Sequence, residues 1–500
     1  MLYLSKSKYC SLWRCPKLLW LDKFKPEEKT EDPALQARFD EGNVVGDLAM
    51  GLFGDFVEVT AFKEDGKLDL NKMCELTQQY IDEGVENICE ASFIYNGLYC
   101  AVDILRKDGD GYAIYEVKSS TEAKYIHSVD IAYQKYVLEN CGVKVTGTYL
   151  VCLDNTYIRG DELEIDKLFK ITDVSETVNS EILDVPSYLL KAEKIMKMKD
   201  EPDTDIGIYC HEPYDCQFWD YCTKHLPNPS VFNVQNLSFK KKVENYNNGL
   251  ISFEDLLASG KITNKKQIRQ MQVGTSILPT QIDKDNIRAF LDTLSYPLYF
   301  LDFEGTQDAI PPFKGVKPNA QVVFQYSLHY IEHKGGELKH KGFLGESGVD
   351  SRRALAEKLC KDIPMNSCVT VFNKNYESTR LNELATAFPD LAAHLLNIND
   401  NIVDFIVPFR SGHYLNKAMA IKGKYKIKVV LPALFPDDPE LDYLNLEGVH
   451  NGNEAMNIFP KIKDMPPEEQ EKARQSLLKY CELDTYAMVK IWEELERVAK

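Results

Sequence analysis

The chain lacks the features of a membrane-spanning or exported protein. Its 500 residues contain no apolar run of about 18 residues, the length that a helix needs to cross a membrane. The opening segment MLYLSKSKYCSLWRC has no apolar core followed by a small-residue cleavage site, so no export signal is expected. We therefore expect a cytoplasmic protein without a membrane partner.

Low-complexity segments and internal repeats are also missing. Hydrophobic residues make up 44% of the chain and charged residues 27%, a balance that excludes a mainly disordered protein. At roughly 100–200 residues per domain, the length predicts about three domains, enough to bury more than one core.

An excess of positive charge is absent as well. The net charge of −18 argues against a protein that binds nucleic acid over its whole surface. The objection is weaker for a protein whose bound metal ions neutralise its site carboxylates, and a local basic strip can coexist with an acidic remainder. Candidate strips are Lys240–Lys242 and the run from Lys265 to Arg269, although a solvated helix face explains each equally well.

Cysteine, in contrast, is abundant, with thirteen in the chain. A reducing cytoplasm disfavours disulfides, so most are expected to be core residues. Three are evenly spaced in IYCHEPYDCQFWDYC, namely Cys210, Cys216 and Cys222. A fourth candidate, Cys15, lies far upstream in LWRCPKLLWL, and Cys10 competes with it. Four thiolates can bind an iron–sulfur cluster or Zn²⁺, and four plain buried cysteines are the alternative.

The N-terminal half carries one set of residues suited to metal-dependent chemistry. Asp103 lies in a predicted strand, and Glu116 and Lys118 lie in the next one, after the turn KDGDG. Glu116 and Lys118 are two residues apart and therefore project from the same face. Carboxylate oxygens suit Mg²⁺ or Mn²⁺, and a lysine can orient water and stabilise charge on a phosphate.

The C-terminal half carries a second set. Asp302 and Glu304 share one face at the end of an apolar strand, and Glu377 follows the predicted strand TVFN. Tyr480 and Asp484 are four apart in a helical pattern and share a face. Four crowded carboxylates repel one another unless cations bind, which predicts two Mg²⁺ ions about 4 Å apart.

The first set resembles the PD-(D/E)XK nuclease superfamily, in particular its RecB-like branch. The order of Asp103, the turn, Glu-Val-Lys and then Gln134 on a helix carries this resemblance. The cysteine pattern is similar to the iron–sulfur members of that branch, which include the CRISPR adaptation nucleases. The resemblance implies a [4Fe–4S] cluster, with Zn²⁺ as the alternative, and a catalytic set that is Asp103, Glu116, Lys118 and Gln134.

The chain departs from that family at two positions. The family often has a metal-binding histidine on an early helix, but none follows the matching pattern EGNVVGDLA. Glu90, in ICEASF, could supply a ligand instead. The glutamine signature also differs, because Gln134 is followed by Tyr136 rather than by a tyrosine at the fourth position.

The second set resembles the DEDD exonucleases of the DnaQ-like class, tyrosine subtype. The patterns D-x-E, N-x-x-x-E and Y-x-x-x-D occur in the family's order over about 200 residues. The resemblance implies metal ligands at Asp302, Glu304, Glu377 and Asp484, with Tyr480 orienting the attacking water. Glu377 departs from the pattern, which normally has aspartate there. The pairing of the two domains resembles an uncharacterised bacterial family with this fusion.

The expected fold class is α/β, divided into three domains. Residues 1–225 are predicted as the RecB-like nuclease with the cysteine cluster and a mixed sheet. Residues 226–290 are predicted as a small helical connector, with Ser252 and Asn264 as helix caps. Residues 291–500 are predicted as a ribonuclease-H-like exonuclease domain.

The expected function is hydrolysis of phosphodiester bonds by two nuclease centres. The resemblances imply an exodeoxyribonuclease that acts on DNA, with single-stranded DNA as its expected partner and RNA as a further possibility. The C-terminal centre is expected to cut from the 3′ to the 5′ end, in DNA repair or in defence against foreign nucleic acid. The alternative is a nucleic-acid-binding protein with one inactive nuclease domain and a structural cysteine site. Protein partners are not predicted.

Overall fold

The computed structural model describes residues 3–30 and 33–500 and divides the chain into two compact units. The first unit comprises Met1–Lys224 and Asp308–Ala320, and the second comprises His225–Gln307 and Gln321–Lys500. Both are built from helices and sheets, so the prediction of an α/β protein is confirmed. Within the described residues, no helix combines the length and the apolarity that crossing a membrane requires.

The first unit contains seven strands and nine α-helices within its described residues. The strands are β1 Leu4–Ser5, β2 Val57–Glu58, β3 Asn87–Tyr95, β4 Leu98–Asp108, β5 Gly111–Lys118, β6 Val145–Leu153 and β7 Phe169–Asp173. The helices are α1 Lys6–Arg14, α2 Pro16–Phe24, α3 Pro33–Met50, α4 Leu70–Asp82, α5 Tyr125–Asn140, α6 Ile165–Leu168, α7 Ser175–Glu181, α8 Val185–Lys197 and α9 Trp219–Thr223.

The second unit contains seven strands and twelve α-helices. The strands are β8 Gln281–Ile282, β9 Leu298–Gln307, β10 Gln321–Ile331, β11 Lys339–Leu344, β12 Cys368–Val371, β13 Ile402–Asp404 and β14 Tyr414–Leu415. The helices are α10 Phe239–Asn247, α11 Phe253–Ser259, α12 Lys265–Gly274, α13 Lys284–Leu291, α14 Arg352–Asp362, α15 Asn375–Ala387, α16 Ala392–Asp400, α17 Val407–Arg410, α18 Lys417–Lys422, α19 Ile427–Leu434, α20 Gly452–Ile458 and α21 Pro467–Ala499.

The sheet of the first unit runs in the order β2-β3-β4-β5-β6-β7, and β1 pairs with β4. β3 pairs with one edge of β4 along most of its length. The other edge is shared, because β5 pairs with β4 only from Ile104 onward and β1 pairs with Leu98 and Tyr99. The start of α1, directly after β1, is thereby placed beside the end of β5.

A tight turn joins β3 to β4. Asn96 and Gly97 both have positive φ angles, 48° and 85°. Such a pair forms the two-residue turn that matches the twist of antiparallel strands, and Asn-Gly is its strongest sequence signal. The resulting hairpin aligns Glu90 with Asp103.

The main sheet of the second unit runs in the order β11-β10-β9-β12-β13. β9 lies at its centre, antiparallel to β10 and parallel to β12. Alternate residues of β9 face opposite sides: Tyr299, Leu301 and Phe303 pack in the core with α14–α16, and Leu298 and Phe300 pack against α21. The same alternation turns Asp302 and Glu304 toward α21.

The unit boundaries differ from the three predicted domains. The first boundary, after Lys224, lies one residue from the predicted one, but the predicted connector of residues 226–290 groups with the second unit. Within that segment, Ser252 caps α11 and Asn264 caps α12, as expected. Residues 308–320, predicted within the C-terminal domain, group with the first unit although they connect β9 to β10.

Candidate active sites

The first group of carboxylates lies where β4 and β5 separate. Their ladder ends at the pair Ile104–Tyr115, and beyond it the carboxylate of Asp103 accepts the backbone N–H of Val117 at 2.6 Å. Glu116 is buried on β5 beside this point. The hairpin register therefore brings together the two carboxylates that are separated by the turn.

Two lysines converge on Glu116. The Nζ atom of Lys118 lies 2.6 Å from Oε1, and that of Lys6 lies 2.9 Å from the same oxygen. Lys6 Nζ is also 3.8 Å from Oδ1 of Asp103, and Lys118 Nζ is 3.1 Å from Oδ2 of Asp130. The centre thus contains an alternating cluster of carboxylates and ammonium groups.

Gln134 reaches the same cluster from α5. Its Nε2 atom donates to Oε2 of Glu116 at 2.7 Å and lies 3.3 Å from Oδ1 of Asp130. Asp130 and Gln134 are four residues apart and share one helix face. The four predicted catalytic residues therefore lie together: Asp103, Glu116, Lys118 and Gln134.

Glu90 lies opposite Asp103 in a distorted part of β3. The ladder pairs Cys89 with Ile104 and Ala91 with Val102, which leaves Glu90 facing Asp103. Its φ angle of 56° is in the left-handed region, which costs a non-glycine residue about 1–3 kcal/mol. Burial raises the pKa of Glu90 to about 7, and the charge of Asp103 adds to the shift.

The pKa values of Asp103 and Glu116 are shifted in opposite directions. Burial, reinforced by Glu116, raises the pKa of Asp103 to about 6. Burial alone would also raise the pKa of Glu116, but Lys118 and Lys6 hold that pKa well below its ordinary value. Glu116 is therefore ionised at neutral pH, stabilised by cations that belong to the chain.

The second group of carboxylates forms a tighter set. Asp302, Glu304 and Asp484 each offer a ligand atom, and these atoms all lie within 4.8 Å of one another. Among the residues that the structure describes, this is the one group of three or more acids, histidines or cysteines with such spacing. β9 supplies two of the acids and α21 supplies the third, where Cys481 Sγ lies 3.7 Å from Oδ2 of Asp302.

Glu377 approaches this set from the first turn of α15 but lies outside it. Its side chain is buried, and its Oε2 atom has no hydrogen-bond partner among the described residues. A buried oxygen without a partner is costly unless a ligand meets it. Asp404 accepts the backbone N–H groups of Asn373 at 2.8 Å and Lys374 at 3.2 Å, which positions the turn that begins α15.

Tyr480 lies beside the acids and is held by a lysine. The Nζ atom of Lys428 donates to the Tyr480 hydroxyl at 3.2 Å and to the carbonyl of His450 at 2.7 Å. A second tyrosine, Tyr443, donates to Oδ1 of Asp484 at 2.6 Å. The Lys428 ammonium lies 4.5 Å from the ring centre of Tyr443 and 4.7 Å from that of Tyr480.

The acids of the second centre have pKa values above their ordinary range. Burial, with the charge of Asp484, raises the pKa of Glu304 to about 8. Burial also raises the pKa of Glu377 to about 8, and burial and Asp484 together raise the pKa of Asp302 well above its ordinary value. The charge of Lys428 lowers the pKa of Glu304 but does not cancel the effects of burial and of the neighbouring Asp484.

Cys15 lies near the segment that contains Cys210, Cys216 and Cys222. The guanidinium of Arg14, next to Cys15, donates to the carbonyls of Tyr209 at 2.7 Å and Cys210 at 3.1 Å. Burial raises the pKa of the Cys15 thiol, and nearby Cys216 adds to the shift. Within the described chain, however, no three cysteine sulfurs lie within 4.8 Å of one another, so the thiols do not form a compact ligand set.

Cys10 and Cys15 occupy different environments. Burial raises the pKa of the Cys10 thiol, and the charges that act on it are those of Asp130, Lys118, Lys6 and Glu116. Cys10 therefore lies beside the first carboxylate centre, whereas Cys15 lies beside Cys216. Of the two candidates for a fourth thiolate, Cys15 is the one near the cysteine run.

The two predicted basic strips are partly exposed. Lys240 and Lys241 are exposed on α10, but Lys242 is half-buried and donates to the carbonyl of Phe232 at 2.8 Å. On α12 all three basic residues are exposed, and these are Lys265, Lys266 and Arg269.

Four residues of the two centres were not predicted from the sequence: Lys6, Asp130, Lys428 and Tyr443. Asp130 had a local signal, because it is one helical turn before Gln134. Lys6 had no local sequence signal, since its position depends on the pairing of β1 with a strand more than ninety residues away. Lys428 lies in the short helix α19 and Tyr443 begins a single 3-10 turn, and no motif marks either residue.

A family model matches part of the chain. Residues 299–426 match a family described only as a domain of unknown function, DUF2779. The match covers about a quarter of the chain and includes Asp302, Glu304 and Glu377 but neither Tyr480 nor Asp484. No curated protein matches the chain.

The raised pKa values of the second centre predict that the metal-free protein loses stability as pH rises. Glu304 and Glu377 have pKa values of about 8 in the folded state and about 4.3 when unfolded. The folded state therefore binds more protons in this window, and the free energy of unfolding falls with rising pH until about pH 8. Calorimetry with a chelator should show a lower melting temperature at pH 8 than at pH 6.

Two variants test whether the acids of the second centre cause the fall in melting temperature with rising pH. Glu304→Gln should flatten the dependence of the melting temperature on pH, whereas Glu469→Gln, at an exposed position of α21, should leave it unchanged. A metal-free protein whose stability is constant or rises between pH 6 and pH 8 would contradict the assigned shifts.

Proposed function

We propose that the protein is a metal-dependent nuclease with two active centres, each hydrolysing phosphodiester bonds. The observation that carries the proposal is the triad Asp302, Glu304 and Asp484, whose ligand atoms lie within 4.8 Å of one another. Carboxylate oxygens at this spacing suit Mg²⁺ or Mn²⁺. The unpartnered Oε2 atom of buried Glu377 supports a cation there as well.

In the second centre, the chain supplies ligands and an orienting hydroxyl. Divalent metal, when bound, would activate water and stabilise the leaving oxygen. Asp302, Glu304 and Asp484 would hold it, with Glu377 completing the set. Tyr480 would orient the attacking water, with its hydroxyl positioned by Lys428. The order of β9, β10 and β11 as antiparallel strands followed by parallel β12 and β13 supports a ribonuclease-H-like fold.

In the first centre, Asp103 and Glu116 would hold a divalent ion, and Glu90 would be placed to join them. Lys118 would orient the water and stabilise negative charge on the phosphate. Gln134 keeps the Glu116 carboxylate in place by its hydrogen bond. The sheet, with an Asp–turn–Glu-x-Lys hairpin beside a buried helix, supports a PD-(D/E)XK fold of the RecB-like type.

The four cysteines would hold a [4Fe–4S] cluster in the first unit. Among the described residues no three of their sulfurs lie within 4.8 Å of one another, whereas the ligands of one zinc ion, at bond lengths of about 2.3 Å, would lie under about 4 Å apart. Cys15, Cys210, Cys216 and Cys222 would supply the four thiolates that such a cluster takes as ligands. Arg14 supports the site by joining the end of α1 to the carbonyls of residues 209 and 210.

The proposed substrate is single-stranded DNA, cut from the 3′ end by the second centre, with RNA as a further substrate class. The exposed lysines of α10 and α12 would contact the phosphate backbone. A cytoplasmic role in DNA repair or in defence against foreign nucleic acid fits such an exonuclease.

Replacement of a cluster cysteine should remove a chromophore. Cys210→Ser in anaerobically purified protein should bleach the visible absorption of the cluster and lower solubility, because closing a loop of almost 200 residues stabilises the first unit. Cys360→Ser, on α14, is the matched control and should keep the colour. A colourless wild-type protein that contains zinc would contradict the iron–sulfur assignment.

Replacement of Lys118 should abolish DNA cleavage by the first centre and leave the second centre active. In a protein already carrying Asp302→Ala, Lys118→Ala should lower the remaining cleavage of labelled DNA by at least about a hundred-fold, because the phosphate charge loses its cation. Lys144→Ala, an exposed residue of the same unit, serves as control. Cleavage that survives Lys118→Ala would contradict the catalytic assignment.

Removal of Asp302 should stop trimming by the second centre. With the first centre disabled by Lys118→Ala, Asp302→Ala should lower the rate by about a thousand-fold or more, since it removes a metal ligand. Tyr480→Phe should cost about ten- to hundred-fold, because only an orienting hydroxyl is lost. A 5′-labelled strand should shorten stepwise with Mg²⁺ or Mn²⁺. No metal-dependent shortening of DNA or RNA would leave this half as a binding module.

A further inference from the structure

An ammonium group of the chain lies on the proposed metal ligands of the first centre. Lys6 Nζ is 2.9 Å from Oε1 of Glu116 and 3.8 Å from Oδ1 of Asp103. We propose that Lys6 occupies the cation position of this centre in the metal-free protein, so that a divalent ion binds only by displacing it. The inference rests on the proposed function of this centre and describes how its metal loading is controlled.

The backbone fixes where the Lys6 side chain starts. Lys6 is the first residue of α1, directly after β1, which pairs with the edge of β4. The Tyr133 hydroxyl donates to the carbonyl of Leu4 at 2.6 Å and anchors β1, and the Ser5 side chain caps the helix. The ammonium therefore meets Glu116 because of the fold, and Lys6 is not a surface residue that happens to be nearby.

Lys6 contacts both proposed metal ligands, Glu116 and Asp103, whereas Lys118 pairs with Glu116 and, on its other side, with Asp130. Lys6 is therefore the lysine that competes with a metal ion for the position between Glu116 and Asp103. A magnesium ion sits about 2.1 Å from its carboxylate ligands, and the ammonium already lies 2.9 Å from the same oxygen. The two cations would then be only a few ångströms apart in a partly buried site, where like charges repel strongly. About a quarter of the Lys6 side chain is exposed (27%), so its flexible four-carbon stem has a path to solvent.

The second centre contrasts with this arrangement. Among the described residues, no lysine or arginine forms an ion pair or a hydrogen bond with the carboxylate of Asp302, Glu304 or Asp484. The nearby Lys428 donates to the hydroxyl of Tyr480 and to a backbone carbonyl instead. Metal can therefore enter the second centre without displacing a chain cation. At low free metal the second centre should be loaded first.

The test measures Mn²⁺ affinity by calorimetry in full-length protein whose second site is disabled by Asp302→Asn and Asp484→Asn. Binding that Glu116→Gln abolishes reports the first centre. Lys6→Gln should tighten this binding by about ten-fold or more, because the competing cation is gone. Lys8→Gln removes an equal charge from an exposed position of the same helix and should change the affinity by less than about two-fold.

Further variants separate displacement from general damage to the fold. Lys6→Arg keeps the charge and should not tighten binding. If Lys6→Gln does not fold, Lys6→Met retains the apolar stem and serves in its place. The rise in melting temperature on adding Mn²⁺ is a second readout and should be larger in the neutral variants than in the protein with Lys6.

The outcomes distinguish this inference from the proposed function. If binding abolished by Glu116→Gln exists but is unchanged or weakened by Lys6→Gln, displacement is wrong and the metal centre stands. If no variant shows binding that depends on Glu116, both the displacement and the metal role of the first centre are wrong. Equal tightening by Lys8→Gln would also overturn the inference, because it would show an effect of net charge alone.

Discussion

Repulsion between buried carboxylates is the constraint on which both centres depend. Each centre gathers acids whose negative charges would drive them apart in a low-dielectric interior unless a cation compensates. The first centre contains that compensation within the chain, since Lys6 and Lys118 both contact Glu116. In the second centre Lys428 acts on the acids without forming an ion pair with them among the described residues, and burial together with Asp484 still raises the pKa of Asp302 and Glu304.

The fold produces these clusters in two ways. In the first unit a hairpin aligns Asp103 with Glu116, and one buried helix adds Asp130 and Gln134 from a single face. In the second unit the central strand β9 provides two acids by its alternation, and α21 crosses that face to add Asp484. Both centres therefore use a rigid strand for one set of groups and a packed helix for another.

Local periodicity explains what the sequence could predict. Glu116 with Lys118, Asp302 with Glu304, and Tyr480 with Asp484 are spaced by one strand or helix repeat, so each pair had to share a face. The strands β5 and β6 and the long helix α21 follow directly from such patterns. The Asn96–Gly97 turn carried an equally clear signal.

What the sequence could not predict depends on contacts between distant segments. The pairing of β1 with β4 decides the position of Lys6, and no nearby residue signals it. Lys428 reaches Tyr480 from a short helix whose placement is set by tertiary packing. The grouping of residues 308–320 with the first unit likewise follows from packing and not from composition.

The central claim is that the second centre is a site for divalent cations and not a structural cluster of acids. Anomalous diffraction from crystals grown with Mn²⁺ tests it most directly, because the metal is located without reference to activity. We expect a strong anomalous peak coordinated by Asp302, Glu304 and Asp484, which disappears in the Asp302→Asn variant. Absence of any peak at saturating Mn²⁺ in the wild-type protein, with the three acids in ordered positions, would contradict the claim.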